Sequence, residues 1–179
     1  MPRPTVAARG FSAIELAITI AVAGTLIAVA LPGLGAWQAS LRARTEINAL
    51  HHALHLARRE SITRNVHVVL CPSSDSQQCR ADGDWSTGWL LYVESQRTAP
   101  PQRQANEQRL LARRVDPTLT IVANRHHFAV RTRRFRATNG TLVACDRHGR
   151  GQGRALIVSY TGRPRARPAS DVAARLPCR

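Results

Sequence analysis

Three arginines at alternate positions, Arg163, Arg165 and Arg167, follow Gly162 and are interleaved with Pro164 and Ala166. Pro164 fixes its own φ and pushes its predecessor toward an extended conformation. In an extended segment residues two apart share a side. Three guanidinium groups then stand along one edge at intervals of roughly 6–7 Å. Phosphates along one nucleic-acid strand are spaced comparably, and guanidinium forks grip their oxygens through paired N–H donors. Gly162 opens the turn before the run. No recognition helix, zinc finger or aromatic RNP-type strand accompanies it. Such a site would position a polyanion without choosing a base sequence, and salt would weaken it strongly. The bland alternative is a solvated turn.

Glu15 is the second residue with chemistry in view. It heads an apolar run, and no other charge occurs before Arg42. About 20 apolar residues span a bilayer core, and an acid at membrane depth is expensive enough to need a partner and a task. Arg3 and Arg9 precede the run, which places residues 1–10 on the cytoplasmic side. Ala28-Val29-Ala30 fits a secretory cleavage site, but that reading leaves Glu15 unexplained.

Four cysteines, Cys71, Cys79, Cys145 and Cys178, suit an exported chain with two disulfides. Three pairings are possible; we expect Cys71–Cys79 and Cys145–Cys178. Zinc is the alternative, yet no C-x-x-C knuckle is present. His51 and His55 stand one helical turn apart, but without H-E-x-x-H a solvated face is the simpler reading. No G-x-S-x-G or other nucleophile–base signature occurs, so we expect neither an enzyme nor a cofactor or metal.

All 26 basic residues are arginine, against 11 acids, for a net charge of +15. Residues 125–179 hold 13 of the arginines and only two acids, Asp146 and Asp171. The excess in the last third implies a polyanionic partner, or else a solvated surface with compositional bias.

The elements that must position these residues follow from periodicity. Ile47, Leu50, Leu54 and Ala57 form an apolar stripe at helical spacing. One helix is expected from about Ser12 to Thr63. Beyond residue 65 the period changes, and short β-branched or aromatic runs at 66–70, 88–93, 118–122, 128–132, 135–137, 142–145 and 155–159 read as strands. Residues 97–106, with Pro100-Pro101, read as a loop. Trp85 and Trp89 are expected to pack in the core rather than serve as platforms. The fold class is α+β, one long helix on antiparallel sheet.

The string Gly10-Phe11-Ser12-Ala13-Ile14-Glu15-Leu16 resembles the class III signal of type IV prepilins. That resemblance implies cleavage by prepilin peptidase between Gly10 and Phe11, N-methylation of Phe11, and retention of the apolar segment. It also implies that Glu15 pairs with the N-terminal amine of a neighbouring subunit during assembly, so that each charge offsets the other's burial. Domain boundaries follow: leader 1–10, transmembrane and assembly helix 11–63, globular β-rich domain 64–179. The segments 70–90 and 157–163 narrow the resemblance to the FimT/GspH group of minor pilins and pseudopilins, nearest FimT, which implies a pilin-like fold. In FimT proteins a C-terminal G-R-x-R motif implies DNA binding during natural transformation. Gly162, Arg163 and Arg165 match it; Arg167 lies one step beyond. The implied partners are DNA, other pilins in a fibre, prepilin peptidase and the inner membrane. The implied location is a single-pass inner-membrane protein with a periplasmic C-terminus, later a pilus subunit. The alternative is a structural minor pseudopilin of a type II secretion system.

Overall fold

A computed structural model describes residues 12–131 and 136–178; Gly10, Phe11, Thr132, Arg133, Arg134, Phe135 and Arg179 lie outside the described residues. Helix α1 runs Ala13–Arg64. The chain divides into two compact units, residues 1–35 and 36–179. In the first, Ala13–Ala30 is long and apolar enough to cross a membrane and is exposed throughout. The hydroxyls of Thr19 and Thr25 donate to the carbonyls of Leu16 and Val22. These back-bonds keep both polar groups satisfied within the helix itself.

In the second unit α1 buries Ala39, Ala43, Ile47, Leu50, Ala53, Leu54 and Ala57. The stripe read from the sequence is the face that packs, and alanines on that face let the backbone approach the sheets closely. Strands β1 (His67–Pro72), β2 (Gly88–Glu94), β3 (Arg109–Arg114), β5 (Phe128–Arg131) and β6 (Arg136–Ala137) form one antiparallel sheet in the order β3-β2-β1-β5-β6. Strands β4 (Leu119–Ala123), β7 (Gly140–Asp146), β8 (Arg154–Val158) and β9 (Pro164–Pro168) form a second, in the order β4-β7-β8-β9. Alternation decides which side chains point inward: Val68, Leu70, Leu91, Phe128 and Val130 from the first sheet, and Leu119, Ile121, Leu142, Ala144, Leu156 and Val158 from the second, meet the helix in one core. This is the expected α+β class, with two sheets sharing one helix.

Trp85 and Trp89 both lie in that core. Trp85 Nε1 donates to the Arg125 carbonyl at 3.0 Å, and Trp89 Nε1 donates to Glu46 Oε1 at 2.8 Å. Glu46 is 2% exposed and takes Arg113 of β3 on its other oxygen at 3.0 Å. A buried charge needs such a partner, and the triad ties α1 to the first sheet. The second sheet is tied to α1 differently. A Cβ on Gly151 would lie 2.7 Å from Ala39 Cβ and from the Ser40 nitrogen, so only glycine lets the β7–β8 connection sit on the helix. There the Gln152 N–H donates to Ser40 Oγ at 2.9 Å.

Two strands fall outside the expected set. β3 was hidden because Arg-Leu-Leu-Ala-Arg-Arg alternates poorly and its leucines are only half buried. β9 lies in the segment read as an extended tail after the last strand; its two prolines argue against an interior strand but suit an edge.

Candidate functional site

The arginine run forms the edge strand of the second sheet. β9 pairs with β8 in the register Val158↔Pro164, Ile157↔Arg165 and Ala155↔Arg167. Pro164 is buried and Ala166 packs against the core, whereas Arg163, Arg165 and Arg167 are exposed. Side-chain alternation therefore turns all three guanidinium groups to the side away from the helix. Among the described residues none of the three guanidinium groups forms an ion pair or a hydrogen bond.

The ladder fixes the edge. The Ser159 N–H donates to the Arg163 carbonyl at 3.1 Å, and the Ala169 N–H to the Gly153 carbonyl at 3.1 Å. Odd-numbered residues thus direct their polar backbone groups toward β8, and residues 164, 166 and 168 direct theirs outward. Pro164 and Pro168 have no N–H, so Ala166 supplies the single outward donor of the strand.

Gly162 makes the turn into β9 with φ +72°, a left-handed conformation that favours glycine. A Cβ there would stand 3.1 Å from Ala137 Cβ of β6. The Gly162 N–H donates to the Ser159 carbonyl, and the Ala137 N–H donates to the Tyr160 carbonyl, both at 2.9 Å. The turn is thereby held to the far edge of the first sheet. This brings up basic residues distant in sequence: Arg58 of α1, Arg131 of β5 and Arg136 of β6 line one cleft with Thr161. Arg131 and Arg136 face each other across the β5–β6 pair. The Arg136 guanidinium carbon lies 5.3 Å from the centroid of the Tyr160 ring.

Three other arginines of the last third are engaged elsewhere. Arg125 and Arg147 donate to the carbonyls of Asn139 and Leu119. Arg150 pairs with Asp146 at 3.5 Å. Arg58 carried no signal in the sequence, since its proximity to the turn depends on tertiary packing alone. Arg131 and Arg136 stand out in sequence as basic residues, but nothing local places them at this turn.

The chain after β9 is fastened down. A 3-10 helix, Ala169–Val172, and the turns that follow cross the outer face of the second sheet, where Ala169, Val172 and Leu176 pack on Val143, Cys145 and Ala155. Cys145 and Cys178 form a disulfide at its end, and Cys71 of β1 forms another with Cys79. Asp171, Arg175, Asn124 and Ile157 line a cleft of about 380 Å³ beside this segment.

Glu15 lies on an exposed turn of α1 in the first unit. The rings of His51 and His55 contact edge to face at 4.6 Å. Among the described residues no cluster of three or more His, Cys, Asp or Glu could hold a metal.

The structure of the type IV minor pilin FimU from Pseudomonas aeruginosa PAO1 is similar, with a TM-score of 0.50, 21% identity, and coverage of 72% of this chain and 90% of that one. The minor pseudopilin EpsH of the Vibrio cholerae type 2 secretion system also gives 0.50, at 12% identity, covering 72% of this chain and 98% of that one. At these identities the likeness shows a shared fold. No curated protein sequence matches the chain significantly. The family profile for the type II transport protein GspH matches residues 46–162, from the buried acid of α1 to the left-handed glycine. The match stops there, so the arginines of β9 lie beyond it. With well over half of its length matched, the chain belongs to the GspH family of minor pilins and pseudopilins.

Proposed function

We propose that this protein is a minor type IV pilin that holds DNA by its phosphates along β9 and promotes DNA uptake in natural transformation. The observation that carries the reading is the row of three exposed guanidinium groups, Arg163, Arg165 and Arg167, with no acid paired to them among the described residues. The ordered edge reduces the entropy lost on binding. Affinity in the range common for nonspecific binding, about 10⁻⁴–10⁻⁶ M, suffices when several subunits of one fibre act together.

The N-terminal part of the proposal is processing and assembly. Prepilin peptidase cuts between Gly10 and Phe11, Phe11 is N-methylated, and Glu15 neutralises the amine of a neighbouring subunit. Before assembly the chain crosses the inner membrane once, with the globular part in the periplasm. Intact-mass analysis of the mature chain tests this directly; a start anywhere other than a methylated Phe11 overturns it.

For DNA, full-length protein in nonionic detergent is titrated with a short duplex at several salt concentrations. Replacing Arg163 and Arg165 together by alanine lowers affinity about tenfold or more and flattens the salt slope by about 2, one unit per lost phosphate contact. Unchanged affinity rejects the site.

A second reading is a structural pseudopilin of a type II secretion system. It is favoured by the GspH profile ending at Gly162, before the arginine edge. On that reading the double variant secretes normally and the edge is solvated surface.

A further inference from the structure

We propose that Tyr160 is a stacking platform for an unpaired nucleobase, so that the interface takes single-stranded DNA in preference to blunt duplex. This deepens the reading of β9 as a phosphate-holding edge and rests on it. The protein has two tyrosines. Tyr92 is fully buried, whereas Tyr160 is 52% exposed at the turn between β8 and β9. A lone exposed ring means little by itself; its setting carries the inference.

The backbone around the ring is pinned on both sides. The Tyr160 carbonyl accepts from Ala137, Ser159 and Gly162 close the turn, and Ser159 Oγ accepts from the Arg163 N–H at 3.1 Å. The ring is therefore presented by a built turn, three residues before the first arginine of the edge. Arg136 lies over it at cation–π distance. Beside the ring opens a cleft of about 320 Å³ lined by Arg131, Arg136, Thr138, Asn139 and Tyr160, with Ala129 and Ala137 as its apolar wall. That volume is at the small end of ligand sites, the scale of a single base rather than a large ligand.

The chemistry matches one nucleotide. The ring offers a face to a base, Arg131 and Arg136 offer charge to its phosphates, and Thr138 and Asn139 offer polar groups to base edges. Stacking on an aromatic ring tolerates any sequence because every base has a π face. In a closed duplex those faces are already stacked and only phosphates reach the protein. A single strand can splay one base onto Tyr160 while its neighbours' phosphates run along Arg163, Arg165 and Arg167.

The test uses full-length protein in nonionic detergent, with a labelled 12-nucleotide single strand and the blunt duplex of the same sequence, read by fluorescence anisotropy. The unmodified chain binds the single strand more tightly. Tyr160→Ala loses about tenfold on the single strand and less than twofold on the duplex, while Tyr160→Phe keeps the ring and stays within twofold on both. A thermal midpoint confirms that each variant is folded. Equal losses on both substrates, no loss on the single strand, or an altered oligomeric state without altered affinity overturns the inference. Replacing Arg163 and Arg165 in the same assay separates the two claims. If that variant weakens both substrates while Tyr160→Ala changes neither, only the stacking platform falls. If the arginine variant changes neither substrate, the phosphate edge falls and the inference with it.

Discussion

Strand β3 closes one edge of the first sheet with Arg109, Arg113 and Arg114; β9 closes one edge of the second with Arg165 and Arg167, and Arg163 stands just before it. On β3 two of the three arginines are engaged within the fold: Arg113 neutralises buried Glu46, and Arg109 donates to the Ser76 carbonyl at 3.0 Å. On β9 no acid pairs with them among the described residues. The residue type is the same, and the difference lies in the face each strand gives its arginines: Arg113 reaches Glu46 on the helix, whereas Arg163, Arg165 and Arg167 point away from it. Glu46 rises against the first sheet, whereas small residues, Ala39 and Ser40, meet the hairpin of the second. An arginine-rich edge stays available to an outside partner when the fold supplies no internal acid for it.

The largest expected effect concerns what holds β9 in place. Replacing Cys145 and Cys178 together by alanine removes a bridge spanning 33 positions and costs about 3–4 kcal/mol of stability by the chain-entropy argument, read as a lowered denaturation midpoint. An unchanged midpoint would mean that the C-terminal segment contributes nothing to the second sheet. Next comes a direct contrast of the two edges. Arg113→Ala leaves Glu46 buried without its ion partner and destabilises by about 2 kcal/mol, discounted for the partial exposure of Arg113, with DNA affinity within twofold of the parent. Arg163→Ala does the reverse: stability changes by less than about 0.5 kcal/mol, and the whole effect falls on DNA binding. Equal stability losses at the two positions would abolish the contrast.

The smallest effects are electrostatic and have opposite signs in the two sheets. Burial at Asp146 of β7 favours the neutral acid, but the Arg150 N–H, the Arg150 charge and the His148 N–H outweigh it and hold the carboxyl below its ordinary value of 3.8. Thr118, through its hydroxyl and its N–H, lowers Asp116 in the same way. Their stabilisation is present above about pH 4 and is lost as pH falls through the folded-state values. Glu94 of β2 is pushed up by burial and by the nearby Glu107, against the pull of Arg131 and Arg97. Its contribution is full below its ordinary value of 4.5 and is lost as pH rises through the raised folded-state value. Asp146→Asn should therefore destabilise at pH 7 and not at pH 2. Glu94→Gln should stabilise at pH 7 and lose that advantage below about pH 4. Melting curves across pH check both signs.

Much of this architecture was legible in the sequence wherever a local pattern carried it. The stripe Ile47, Leu50, Leu54 and Ala57 gave the packed face of α1, and β-branched runs gave most strands to within two residues at either end. β3 was missed because half-buried edge strands need little alternation. The alternation of Arg163, Arg165 and Arg167 was readable from Pro164 and strand geometry alone. That the segment is a hydrogen-bonded edge was not, because its partner β8 gives no sign in sequence of which strand it will accept. Tyr160 with Arg136, and Glu46 with Arg113, were out of reach for the same reason: each pair is joined by packing across many intervening residues.

The outward rim of β9, where two prolines leave Ala166 as the lone donor, has a consequence for life in an assembly. Subunits stacked in a filament stand close enough for exposed strands to zip together into continuous sheets. A rim with one N–H to offer templates a visiting strand poorly, and the like charges beside it repel a second copy of itself. The surface proposed to meet a polyanion is thus kept from being consumed by its own kind.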